Sequence, residues 1–106
     1  MVYHLKYHYI LRDIFATDES LAGYLIEESL KELNLKINKA NIKSLIRTCK
    51  NTTSKEGFEI CINQFREDLS EEFWGGRAPE SFEKFLKSID EAAEGILLSS
   101  YEKHTL

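Results

Sequence analysis

Apolar residues recur at three- and four-residue steps along most of the chain, which is the spacing of one face of an α-helix. This spacing predicts helices over residues 18–33, 39–50, 54–73 and 79–101. The segments between them are short and rich in polar residues or glycine, as expected for the turns of a compact helical bundle.

The first segment fits two patterns at once. Its large apolar residues alternate with polar ones as in a β-strand, but several of them also share one helical face. The chain has no second strand-like run, and an unpaired strand would leave its backbone groups without hydrogen-bond partners. A helix over residues 3–15 is therefore favoured, and a strand over residues 2–11 is the alternative.

Together these patterns predict an all-α fold, a compact bundle of four to five helices in a single domain over residues 1–106. The chain has 106 residues, of which 42% are hydrophobic, so it is long enough to bury one core. No apolar run is long enough to cross a membrane, and no segment has the organisation of a signal peptide. We therefore expect no membrane association and a cytoplasmic location.

Few residues in the sequence suggest catalysis. His4 and His8 share a helical face, but two ligands do not make a metal site, and the third histidine, His104, lies far away in the sequence. Cys49 and Cys61 fall on apolar faces, where free thiols usually act as small buried hydrophobes in a reducing compartment. No nucleotide-binding loop or activated nucleophile is present. We expect a protein that is not an enzyme and has no metal or cofactor.

Charge is distributed very unevenly along the chain. Residues 36–55 carry six basic residues and no acidic one, although the net charge is −4. The predicted third helix presents four of these bases at helical spacing: Lys39, Lys43, Arg47 and Lys50. Such a face could contact the phosphates of a nucleic acid, so a small helical nucleic-acid-binding regulator is one hypothesis. The acidic remainder of the chain opposes it, because it would repel a duplex.

The strongest candidate binding feature is the end of the predicted fourth helix. Glu67, Asp68, Glu71 and Glu72 place four carboxylates within six residues, at a helix C-terminus where negative charge is disfavoured. Trp74 follows, and tryptophan is common at the centre of protein interfaces. These five residues are the predicted partner-binding set. In the alternative interpretation, Trp74 closes the end of the core and the acids form a solvated face.

The leading hypothesis is a non-catalytic inhibitor that neutralises a basic protein partner through this acidic surface. In size and charge alone, the chain is similar to the immunity proteins that neutralise nuclease toxins, and the same physics would serve against another nucleic-acid-binding machine. A further possibility is a homodimer in which the basic block of one subunit meets the acidic end of the other.

Overall fold

The computed structural model describes residues 3–105, and the side chains of residues 3–99. Five helices and no strand occur in this range, which confirms the predicted all-α bundle. The helices are α1 (His8–Thr17), α2 (Glu19–Lys31), α3 (Lys39–Cys49), α4 (Lys55–Asp68) and α5 (Ala78–Thr105). Across residues 3–105, each helix is either too short or too polar to cross a bilayer.

Residues with short polar side chains cap the N-termini of the three middle helices: Asp18, Asn38 and Ser54. In each case the side-chain oxygen accepts a hydrogen bond of 2.9–3.0 Å from a backbone N–H of the first turn. These bonds satisfy amides that have no partner inside the helix, and so they fix where each helix starts.

The core is built from all five helices and from two segments outside them. The α2 helix packs against α1, α3 and α5, and α4 packs against α3 and α1. The segment before α1 contributes Leu5, and the connection between α4 and α5 contributes Trp74. The largest fully buried side chains are Trp74, Phe15, Phe58, Phe85, Leu5, Leu11, Ile26, Leu30, Ile46, Ile62 and Ile89.

The N-terminal segment differs from both expectations. Residues 3–7 form neither a helix nor a strand, and α1 starts only at His8 and continues to Thr17. The reason is a long-range contact: the buried carboxylate of Asp90 on α5 accepts hydrogen bonds from the backbone N–H groups of Lys6 and Tyr7. Those amides are thus satisfied without an additional helical turn or a neighbouring strand.

The fourth helix is shorter than predicted and the fifth is longer. Instead of continuing to residue 73, α4 ends at Asp68, and Leu69 is extended. A turn follows in which Ser70 Oγ accepts a hydrogen bond from the Phe73 N–H at 3.1 Å. The turn closes through Gly75 and Gly76, both at positive φ (75° and 76°), which glycine adopts without a steric penalty. The α5 helix continues to Thr105 rather than ending near residue 101.

The structure also corrects the prediction for the two cysteines. Cys49 at the end of α3 and Cys61 on α4 form a disulfide, with their Cα atoms 5.6 Å apart. The sequence predicts two separate buried thiols, because each cysteine falls on an apolar face. The two helices form a hairpin that brings these faces together, and this places the sulfur atoms against each other.

Candidate functional site

The four predicted acidic residues lie together at one end of the bundle, and we call residues 67–72 the acidic end. Glu67 and Asp68 occupy the last turn of α4, and Glu71 and Glu72 lie in the turn that follows. All four side chains are exposed. Among the described side chains, none of the four forms an ion pair with a basic residue. The negative charge of this surface is therefore not neutralised by any side chain of residues 3–99.

The structure places Trp74 in the core, so the two interpretations of this residue are resolved. Its side chain is 1% exposed. The indole ring makes edge-on contacts with Phe73 and Phe82, at centroid distances of 4.9 and 5.5 Å. The prediction that Trp74 contacts a partner is therefore wrong for the folded protein, because aromatic neighbours already cover the ring.

Trp74 instead supports the acidic end from beneath. Its indole Nε1–H donates a hydrogen bond to the backbone carbonyl of Arg66, in the last turn of α4, at 3.2 Å. Its own carbonyl accepts a hydrogen bond of 3.0 Å from Ser81 Oγ, in the first turn of α5. The residue thus joins the end of α4 to the start of α5, and the acidic turn runs between these two fixed points.

The predicted basic residues lie along the outside of α3. Lys39, Lys43, Arg47 and Lys50 are all exposed, and the described part of the chain offers none of them an ion-pair partner. Carboxylates flank this basic face on both sides. The surface groove between α3 and α2 contains Glu19 and Glu27, and the one between α3 and α4 contains Asp68.

A third polar cluster, which the sequence did not reveal, lies where the N-terminal segment meets α4. His4 Nδ1 lies 3.7 Å from Glu59 Oε2. Burial, together with the positive charges of Arg12 and Lys55, lowers the pKa of His8 and favours its neutral form. Over the described residues, no three His, Cys, Asp or Glu side chains gather in a way that would hold a metal ion.

The contact between His4 and Glu59 joins residues far apart in the sequence, so no local pattern could have signalled it.

Comparison of the chain with protein-family models, curated proteins and solved structures finds no match. The functional argument therefore depends on the residues and their arrangement.

Proposed function

We propose that this protein is a non-catalytic binding protein of the inhibitor or immunity type, whose acidic end docks a basic surface on a partner protein. A nuclease toxin or another nucleic-acid-binding machine presents such a surface, because it must attract phosphate. The observation that carries the proposal is the set of four exposed carboxylates at the acidic end, none of them paired with a base among the described side chains.

The support beneath these carboxylates adds to the proposal. A charged loop that must become ordered on binding loses affinity through the entropy of ordering. Here the acidic turn is tied to α4 and α5 through the hydrogen bonds of Trp74, and Ser70 closes it internally. The backbone that carries the carboxylates is thus ordered before a partner arrives, which favours fast, charge-steered association.

The basic face of α3 supports nucleic-acid binding as a second candidate. In its favour, the bases of α3 are exposed and have no ion-pair partner in the described part of the chain. Against it, the flanking carboxylates Glu19, Glu27 and Asp68 would approach the phosphates of a duplex that settled on this face. We rank the protein partner first for this reason.

Reversing charge at the acidic end should slow association with the partner. We expect Glu71→Lys combined with Glu72→Lys to lower the association rate about tenfold to a hundredfold, and high salt should have a similar effect on the wild type. The matched control is Glu83→Lys combined with Glu91→Lys, which reverses two exposed acids on α5. The three proteins serve as immobilised baits for a cell extract, and association rates are then measured with the purified captured protein.

A basic protein retained by the wild type and the control, but not by the acidic-end variant, would support the proposal. Equal retention by all three baits would refute it. A labelled DNA duplex tests the second candidate in the same buffers. Tight, sequence-specific binding that disappears on Lys43→Glu with Arg47→Glu would replace the protein partner by nucleic acid.

A further inference from the structure

A surface groove between α2 and α3 has no role in the proposed function. Its floor is formed by Gly23 of α2 and by Ile42 and Ile46 of α3. At its edge lies Tyr24, which is 60% exposed and is one of the few large apolar side chains of residues 3–99 that are exposed to solvent. An open groove beside an exposed aromatic ring is the kind of surface that another protein covers.

Gly23 is the first indication that something packs into this groove. A glycine inside a helix is unfavourable relative to alanine, because it loses more conformational freedom on folding. The packing of the chain itself does not require it. A Cβ atom at Gly23 would lie 3.7 Å from Ile42 Cγ2 and 3.9 Å from Ile46 Cδ1, which are ordinary contact distances. Because Gly23 lines the groove and has no side chain, the groove is deeper at this point than it would be with an alanine.

The charges on the two edges of the groove are the second indication. The α2 edge carries Glu19 and Glu27, and the α3 edge carries Lys39, Lys43 and Arg47. None of these five residues forms an ion pair with another described residue.

At each end of the groove, an acidic residue of the α2 edge lies opposite a basic residue of the α3 edge. Glu27 and Lys39 both border the neighbouring surface depression next to the 32–38 connection, so they mark the same end of the groove. The two helices therefore run antiparallel, and Glu19 and Arg47 lie at the opposite end.

We propose that a second copy of this chain occupies the groove and forms a two-fold symmetric dimer through α2 and α3. With the two-fold axis parallel to the groove, the acidic edge of each copy lies over the basic edge of the other. Glu19 then faces Arg47 of the second copy, and Glu27 faces Lys39 of the second copy. An axis across the groove would place acid on acid and base on base, which is strongly unfavourable. The charge pattern therefore selects one arrangement.

This arrangement also accounts for the exposed ring. Tyr24 of each copy lies on the acidic edge, so it packs over the basic edge of the other copy, where an aromatic face attracts a lysine or arginine cation. Each contact occurs twice because the interface is isologous. The interface excludes the acidic end. The dimer can therefore be disproved without affecting the proposed inhibitor function, and the reverse also holds.

A pair of complementary charge-reversal variants tests the dimer by sedimentation equilibrium at low salt. The wild type should sediment at twice the 12.3 kDa mass of the chain. Glu19→Arg alone and Arg47→Glu alone should each weaken the dimer at least about tenfold, because each places like charges opposite each other twice. An equimolar mixture of the two variants should restore it. In that heterodimer the introduced arginine meets the introduced glutamate, and the native Arg47 meets the native Glu19.

The control variants are Glu83→Arg and Lys84→Glu, which reverse exposed charges on α5 and should dimerise like the wild type. Circular dichroism of every variant establishes that the fold is intact. A wild type that stays monomeric up to the highest soluble concentration at low salt would overturn the proposal. A dimer that neither single variant weakens would overturn it as well, and so would a mixture that does not reassociate.

Discussion

Asp90→Ala should lower the free energy of unfolding by roughly 3–5 kcal/mol, although it changes a single side chain far from the acidic end. The Asp90 carboxylate is 2% exposed and accepts three hydrogen bonds. They come from the Tyr3 hydroxyl at 2.8 Å, the Lys6 N–H at 3.2 Å and the Tyr7 N–H at 2.8 Å. Removing the carboxylate leaves these donors without their acceptor and frees the N-terminal segment from α5.

Urea unfolding followed by circular dichroism measures this loss, and two variants separate its sources. Tyr3→Phe removes the hydroxyl bond and keeps both backbone bonds, so it should cost much less than Asp90→Ala. Asp90→Asn keeps the shape but turns one acceptor into a donor that faces other donors, so its cost should lie in between. Equal stability of Asp90→Ala and the wild type would show that the three hydrogen bonds to Asp90 make no net contribution to the stability of the fold.

The Tyr3 bond should also make stability depend on pH. Burial, reinforced by the hydrogen bond to Asp90, raises the pKa of Tyr3 from 10.0 to about 12. The folded state therefore holds this proton more tightly than the unfolded state does. The resulting stabilisation is complete below pH 10.0 and is lost as the pH rises towards 12. Tyr3→Phe should lack this component, so the difference in stability between the two proteins should shrink over that interval.

The periodicity of apolar residues predicted the bounds of α2 and α3 well, but it predicted the structure of the N-terminal segment poorly. The α2 and α3 helices have both an apolar face and a polar capping residue within the segment itself, and their predicted bounds are close to those observed. Residues 3–7 have no such local determinant, because their backbone partner Asp90 is more than eighty residues away. A pattern read within a window of a few turns contains no information about that contact.

At the candidate site, too, the features set by the local sequence were predictable and those set by long-range contacts were not. The exposure of the acidic residues was predictable, since charged side chains that do not fit an apolar face are almost always solvated. The burial of Trp74 was not, because it depends on Phe82 of α5 and on the turn that folds the ring back onto α4. The pairing of Cys49 with Cys61 likewise depends on how two helices pack, and their spacing in the sequence does not specify it.

Trp74→Ala should destabilise the protein by about 3–5 kcal/mol, because it leaves a large cavity and removes the indole hydrogen bond to Arg66. The acidic-end double variant Glu71→Lys with Glu72→Lys should change the free energy of unfolding by less than about 0.5 kcal/mol, because both side chains are exposed. The two changes lie within four residues of each other, yet they should affect different properties. The first removes the support of the acidic end, and the second changes only its charge.

Thermal unfolding and partner binding measured on the same variants make the distinction. Trp74→Phe is the intermediate case, because it keeps an aromatic ring in the cluster and loses only the N–H donor and part of the volume. We expect melting temperatures to fall in the order wild type, Trp74→Phe, Trp74→Ala, while the acidic-end variant melts like the wild type and binds poorly. A Trp74→Ala protein that melts like the wild type would show that the ring does not hold α4 to α5. The ordered turn would then no longer count in favour of the acidic end as a docking surface.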